Sequence, residues 1–257
     1  MGVMQVSFWG ASIKKQCQMM VCYPDRVEAK GPFPVLYLLH GLSDDHTIWT
    51  RHTSLERYLS GMPLIVAMPD GHRAFYTDAV EGLAYEQNLI KDVVETVDRF
   101  FRTRAERAGR CISGLSMGGY GAMKLALKHP DLFVSATSHS GALRITSIKK
   151  RPELQPQLRR IFGKGVGAGG PDDCFALAER AKRKKAKLPA LRFDCGVDDG
   201  LLDHNRAFHA HLEKLRIPHE YEEFPGAHTW GYWDVHVRES LAFHARHLGI
   251  AGKPKPS

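Results

Sequence analysis

The segment Gly114-Leu115-Ser116-Met117-Gly118 is the most informative part of this sequence. It follows an apolar run that ends at residues 111–113 and precedes a helical pattern over residues 119–129. A Gly-x-Ser-x-Gly pattern between a strand and a helix is typical of a nucleophile elbow, a tight turn that points a serine hydroxyl away from both elements. Glycine is required two residues either side because a side chain there would collide with the neighbouring strand or helix. We therefore take Ser116 as the candidate nucleophile.

Apolar runs alternate with helical patterns along most of the chain. Residues 35–39 and 64–68 are apolar at every position, which is typical of parallel strands covered by helices on both faces, and residues 191–195 are predicted to resume the strand pattern. Helical spacing covers residues 84–102 and 230–248. Further strands are predicted at residues 3–8, 16–23, 133–137 and 220–224. The alternation predicts an α/β fold with a mostly parallel, doubly wound sheet, and the elbow indicates the α/β-hydrolase version of it.

The length of 257 residues suits one α/β domain, which we place at residues 1–250. Residues 144–190 are basic and irregular, with a glycine-rich stretch at 163–170, and they interrupt the alternation of strands and helices. We predict a small cap-like insertion there. Residues 251–257 are rich in lysine and proline and are predicted to form a flexible tail.

The composition favours a reduced, cytoplasmic protein. The net charge is +8, with basic clusters at 149–151 and 182–187, but no aromatic residues interleave with the lysines and arginines as stacking platforms for bases would. No apolar run approaches the roughly 18 residues that span a bilayer, and no secretory signal is recognisable. The five cysteines are odd in number and scattered, which argues against a disulfide framework. We expect neither a nucleic-acid partner nor membrane insertion.

A serine hydroxyl becomes a nucleophile only when a base takes its proton and an acid orients that base. In α/β-hydrolases the chain order is serine, then the acid, then histidine. The loops after residues 191–195 and 220–224 would lie at the carboxyl edge of the sheet, beside the elbow. His228 follows the second of these strands and is the candidate base. The acid is Asp198 or Asp199, and the spacing does not separate them.

Ester hydrolysis also needs donors for the negative charge that develops on the carbonyl oxygen. One donor is expected to be the N–H of Met117, directly after the serine. The loop after residues 35–39 begins His40-Gly41-Leu42, and its glycine allows close backbone approach, so the Leu42 N–H is the expected second donor. His40 is predicted to shape that loop through hydrogen bonds.

Five ordered segments resemble the esterase D-like family of α/β-hydrolases: residues 40–42, 114–122, 140–143, 195–199 and 225–233. The family includes tributyrin esterases, S-formylglutathione hydrolases, feruloyl and acetylxylan esterases and mycolyltransferases. The resemblance covers nearly the whole chain and is weakest at 144–190. The family's acid occupies the last position of a Cys-Gly-x-x-Asp pattern, which implies Asp199. The resemblance also supports Ser116, His228 and the N–H groups of Leu42 and Met117.

The elbow reads Gly-Leu-Ser-Met-Gly-Gly-Tyr-Gly, as in the tributyrin-type carboxylesterases. This resemblance implies a serine carboxylesterase for short-chain acyl esters, with a small ester substrate, no cofactor and no metal. Residues 74–78 are similar to a segment of S-formylglutathione hydrolases, so that activity stays open, as does carbohydrate or feruloyl esterase activity. Acyl transfer to an alcohol or sugar is a further alternative, and a homo-oligomer is not excluded by the sequence.

Side chains on loops at the same sheet edge suggest an aromatic-lined acyl pocket, with core packing as the alternative. The candidates are Trp49, Phe75, Tyr76 and Trp230. The helical pattern after residue 200 predicts a surface helix whose histidines are solvated. These are His204, His209 and His211.

Overall fold

Within the described residues, eight strands form one sheet. The computed structural model describes residues 1–25, 27–150, 152–164 and 167–250, and for 148–150 the backbone alone. The strands are β1 (Gly2–Gly10), β2 (Lys15–Tyr23), β3 (Val35–Leu39), β4 (Ile65–Pro69), β5 (Arg110–Gly114), β6 (Ser135–His139), β7 (Ala190–Gly196) and β8 (Glu220–Phe224). Their order is β1-β2-β4-β3-β5-β6-β7-β8. Strands β1 and β2 are antiparallel to their neighbours and the other six run parallel, which confirms the predicted sheet.

Helices cover both faces of the sheet. They are α1 (Ile48–His52), α2 (Leu55–Leu59), α3 (Tyr85–Gln87), α4 (Val94–Phe100), α5 (Met117–Lys128), α6 (Gln155–Phe162), α7 (Cys174–Arg183), α8 (Leu202–Leu215) and α9 (Trp230–Leu248). The helix predicted at 84–102 consists of α3 and α4 joined by a π-helical stretch, Asn88–Val93. Helix α9 has the predicted bounds.

The uninterrupted apolar runs supply a core on each face. In β3, Tyr37 packs in the same cluster as residues of α5 and α8, whereas Leu36 and Leu38 pack with α1, α2 and α9 on the opposite face. Successive side chains of a strand alternate between faces, so a strand buried on both sides needs apolar residues at every position. The runs at 35–39 and 65–69 are completely buried for this reason.

Two predicted segments differ from the structure. The strand expected at 133–137 is β6, Ser135–His139, because Ser138 and His139 are buried although polar, and an apolar pattern cannot detect them. The segment 144–190, expected to be irregular, contains α6 and α7. Helix α7 packs on α5 and α8 as an ordinary crossover between β6 and β7, so the alternation continues through it.

Five loops that follow parallel strands meet at one edge of the sheet, and the candidate site residues lie on them.

All five cysteines are buried free thiols. None of the helices described combines the length and apolar character needed to cross a bilayer. The tail predicted at 251–257 lies outside the described residues.

Candidate active site

The elbow serine occupies a strained backbone conformation. Ser116 has φ 53° and ψ −112°, a region that residues with a side chain rarely adopt, and α5 begins at the next residue. A Cβ on Gly118 would lie 2.5 Å from the Leu39 carbonyl oxygen, and one on Gly114 would lie 2.5 Å from the Gly118 carbonyl. Only glycine fits at either position, so the strand and the helix can come close enough to hold this turn.

The structure brings Ser116, His228 and Asp199 together. The Ser116 hydroxyl lies 3.0 Å from His228 Nε2, and His228 Nδ1 lies 2.8 Å from Asp199 Oδ2. The neighbouring Asp198 is exposed, and its N–H donates to the Gly226 carbonyl at 2.9 Å. Of the two aspartates that the spacing left open, Asp199 is the one that lies against His228, and it is the one that the family resemblance implies.

The Asp199 carboxyl is buried and well supplied with donors. The Leu201 N–H donates to Oδ1 at 2.8 Å, while His228 donates to Oδ2. Burial acts to raise the pKa of Asp199, but the hydrogen bonds from His228, Ser140 and Leu201 outweigh it, and the pKa lies below its usual value. The group is thus an anion at neutral pH, suited to orient an imidazole and to stabilise its protonated form.

The two predicted oxyanion donors lie beside the serine. Leu42 and Met117 line the same cavity as Ser116. Among the residues that the structure describes, neither backbone N–H has a hydrogen-bond acceptor. An N–H without a partner at the start of a helix favours a negatively charged atom.

His40 has the structural place expected of it. Its Nε2 accepts the Gly71 N–H at 2.9 Å, so its Nδ1 carries the proton and donates to the Gly41 carbonyl at 2.8 Å. The ring is buried. Both nitrogens are thereby used to hold the loop that carries the Leu42 N–H.

The cavity above Ser116 has a volume of about 260 Å³. Its walls are mostly apolar, formed by Leu42, Phe75, Met117, Ala142, Leu154 and Leu201. Of the four aromatic residues expected there, only Phe75 lines it. The Trp49 N–H donates to the Leu39 carbonyl at 3.2 Å, and the ring packs edge-on against Trp230 at 5.5 Å. Tyr76 is buried with its hydroxyl on the His40 carbonyl, so these three rings support the loops from behind.

A buried cation that the sequence did not indicate fixes the position of Phe75. Phe75 and Tyr76 both have positive φ, 53° and 51°. Lys124, completely buried on α5, donates to the Tyr76 carbonyl at 2.5 Å and to the Glu86 carboxylate at 2.8 Å. Burial acts to raise the pKa of Glu86, but its contacts with His129 and the lysines hold it well below the usual value. The ion pair therefore anchors a strained turn to the elbow helix.

The cavity also has a polar wall that the sequence reasoning missed. Ser147 and His204 line it, and the serine hydroxyl lies 2.6 Å from His204 Nε2. Ser147 and Leu154 belong to the segment predicted as a cap, so part of that segment does border the cavity. His204 is half-buried rather than solvated, because α8 starts three residues after Asp199 and its first turn faces the site.

The basic cluster at 182–187 lies on the outside of the molecule. Lys182, Arg183, Lys184, Lys185 and Lys187 are exposed at the end of α7 and in the turn after it. The side chains of the second cluster, 149–151, lie outside the described residues.

Comparisons with known proteins show which family the chain belongs to. A family model described as "Putative esterase" matches residues 10–244. The chain is 30% identical to an acetyl esterase of Caldicellulosiruptor saccharolyticus, over 94% of this chain and 97% of that protein. It is 31% identical to esterase Rv1288 of Mycobacterium tuberculosis over 82% of this chain, and the match covers 52% of that longer protein. The crystal structure of S-formylglutathione hydrolase FrmB from Staphylococcus aureus is similar, with a TM-score of 0.86 and 28% identity over 95% of this chain and 98% of that one.

Proposed function

We propose that this chain, which belongs to the esterase family, hydrolyses esters and has the α/β-hydrolase fold, is a serine carboxylesterase for short-chain acyl esters. The observation that carries the proposal is the hydrogen-bonded chain from Ser116 through His228 to Asp199 at the wall of a small cavity. We assign the serine as nucleophile, the histidine as general base and the aspartate as the acid that orients it.

The reaction follows from these positions. His228 Nε2 takes the hydroxyl proton as Ser116 Oγ bonds to the carbonyl carbon, and the displaced electron pair moves to the carbonyl oxygen. The N–H groups of Leu42 and Met117 stabilise that oxyanion, while Asp199 stabilises the imidazolium. When the carbonyl re-forms, the ester oxygen leaves with the histidine's proton as the alcohol. Water then attacks the acyl-enzyme, again giving its proton to His228, and the acid is released as the serine recovers its hydrogen.

The cavity supports a small acyl group. Its volume of about 260 Å³ is below the range of pockets that hold drug-sized ligands, about 300–1,000 Å³. Leu154 and Leu201 add apolar surface to the walls, which suits an alkyl chain of a few carbons. Location in the cytoplasm, absence of a nucleic-acid partner and oligomeric state stay predictions from the sequence.

The test uses p-nitrophenyl esters of increasing acyl length. We expect the highest kcat/KM for the shortest chains and a decline as the acyl group outgrows the cavity. Ser116→Ala should reduce turnover by about 10⁴-fold or more, since the residual rate comes from binding and the oxyanion donors alone. A folded Ser116→Ala variant with wild-type turnover would overturn the proposal, and a rising preference for long chains would overturn its substrate class.

A second candidate is hydrolysis of the thioester S-formylglutathione. It is favoured by the likeness to FrmB and by Arg73, an exposed cation whose guanidinium lies 3.4 Å from the Leu42 carbonyl. A cation there could pair with a carboxylate on the substrate's leaving group. Comparing kcat/KM for S-formylglutathione and p-nitrophenyl acetate, in wild type and Arg73→Gln, separates the two. The thioester function predicts a loss with Arg73→Gln for S-formylglutathione only.

A further inference from the structure

We propose that His209, Glu213 and His219 form a binding site for a borderline transition-metal ion, with Zn²⁺ as the first candidate. The ligand atoms of the three side chains all lie within 4.8 Å of one another. His209 is the eighth residue of α8, so the helical rise places it about 10 Å along the axis from the helix end that follows Asp199. The site is therefore separate from the chemistry proposed above.

The backbone brings the three ligands together. His209 and Glu213 are four residues apart on α8 and share one face of the helix. His219 lies in the short connection between α8 and β8, and its Nε2 is 2.8 Å from His209 Nδ1. Two imidazoles and a carboxylate are ligands that Zn²⁺ takes readily, whereas Mg²⁺ and Ca²⁺ prefer oxygen alone.

The histidine tautomers suit a metal. His219 Nδ1 lies 2.8 Å from the Ile217 carbonyl, which can only accept, so Nδ1 carries the proton and Nε2 presents its lone pair to the cluster. A backbone carbonyl on the second nitrogen is the usual support of a zinc-bound histidine. His209 Nδ1 donates to that lone pair in the metal-free protein. A metal takes the proton's place when His209 shifts to its Nε2–H tautomer, so both rings remain neutral.

The rings are held in place by aromatic neighbours. His219 stacks on Phe193 with an interplanar angle of 11°, and His209 stacks on Tyr221 at 4.7 Å. Tetrahedral zinc with bonds of about 2.05 Å separates two ligand nitrogens by about 3.3 Å, so the pair need open by only about 0.5 Å. Glu213 is exposed and free to rotate inward. The ion would then join the end of α8 to the start of β8.

The experiment is a zinc titration of protein first dialysed against a chelator and then against chelator-free buffer. Isothermal titration calorimetry and metal analysis should give one Zn²⁺ per chain, with no heat for Mg²⁺. His219→Gln and Glu213→Gln should each weaken binding by at least about tenfold. His211→Gln is the matched control, on the same helix with Nε2 on the Phe175 carbonyl, and should leave the affinity unchanged.

Melting temperatures with chelator and with Zn²⁺ provide an independent readout. Zinc should raise Tm in wild type and in His211→Gln, and leave it unchanged in His219→Gln. Because Glu213 is exposed, its substitution tests the site even if His219→Gln does not fold. Absence of stoichiometric binding, or equal affinity in wild type and Glu213→Gln, would overturn the proposal.

Discussion

Two sets of serine, histidine and aspartate in this protein have similar distances and opposite surroundings. We name them the open trio, Ser116, His228 and Asp199, and the buried trio, Ser240, His139 and Asp194. The serine oxygen lies 3.0 Å from histidine Nε2 in the open trio and 2.8 Å in the buried trio. Histidine Nδ1 lies 2.8 Å from the carboxylate in both, although in the buried trio the two atoms lack the alignment of a hydrogen bond.

The difference lies in access and in the backbone around each serine. The His228 side chain is 36% exposed, whereas that of His139 is fully buried. Ser240 lies within the regular turns of α9, while Ser116 lies on a strained turn next to two free N–H donors. Residue types at suitable distances are therefore insufficient for catalysis. A reacting carbonyl must also reach the serine, and its developing charge must find donors.

Covalent labelling with a fluorophosphonate probe should show the largest difference between the two serines. Ser116→Ala should abolish labelling, because the probe reacts with an activated, accessible serine. Ser240→Ala should be labelled like wild type, because no probe reaches α9's buried face. Gel fluorescence and peptide mapping measure both. A modified peptide containing Ser240 would show that burial does not separate the two trios.

The next largest effect is expected on kcat, from substitution of the aspartate that contacts His228. Asp199→Asn should lower kcat by about 10⁴, because an amide cannot hold the correct histidine tautomer or stabilise its cation. Asp198→Asn is the matched control at the exposed neighbour and should retain kcat. Steady-state rates with p-nitrophenyl acetate compare the two. Similar losses in both variants would mean that the hydrogen bond to His228 does not identify the acid.

The pH dependence of stability tests the surroundings of the buried trio. His244, next to His139, is buried, and burial together with the neighbouring histidines His247 and His139 lowers its pKa from 6.5 to about 3. Between these values the unfolded state binds a proton that the folded state does not. Stability from this group is therefore complete above pH 6.5 and falls by about 1.4 kcal/mol per pH unit below it.

Urea unfolding at several pH values measures that slope. His244→Gln should be less stable at neutral pH, because Ser135 and Thr137 lose their imidazole partner. Its stability should also fall less steeply between pH 6 and pH 4 than that of wild type. Parallel curves for the two proteins would mean that His244 titrates normally in the folded state.

The smallest effect is expected from Ser240→Ala. The substitution removes a hydroxyl that lies 2.6 Å from Thr137 Oγ1 and 2.8 Å from His139 Nε2. Leaving the buried His139 Nε2 without its hydrogen-bond partner should cost about 1–3 kcal/mol in the free energy of unfolding, whereas Thr137 Oγ1 keeps its contacts with Ser113 and His244. Activity at 25 °C should match wild type. A large loss of kcat in a stable Ser240→Ala variant would give the buried trio a part in catalysis.

The open trio could be predicted from sequence because each member lies within four residues of the end of a predicted strand. The buried trio could not. Its serine, histidine and aspartate lie inside α9, β6 and β7, respectively. An analysis of apolar periodicity does not recognise polar residues that are buried within such elements. For the same reason, the predicted bounds of β6 begin and end two residues too early. Lys124 was not recognised as a buried residue either, because its charge is compensated by Glu86, 38 positions away. Trp49, Tyr76 and Trp230 were predicted to line the pocket but lie behind its loops, because the position of a loop residue in the chain does not give the direction of its side chain.

The amino-acid sequence was enough to predict the order of the strands along the chain, the elbow at Ser116 and, with the family resemblance, the residues around it. These features are local: glycine sterics, apolar periodicity and the residues that end a strand. The packing of the folded chain, in contrast, sets which rings border the cavity and brings His204 to its wall. It also places His209 Nδ1 2.8 Å from His219 Nε2. Such placements depend on contacts between distant segments, whose free energies are set when the elements pack together.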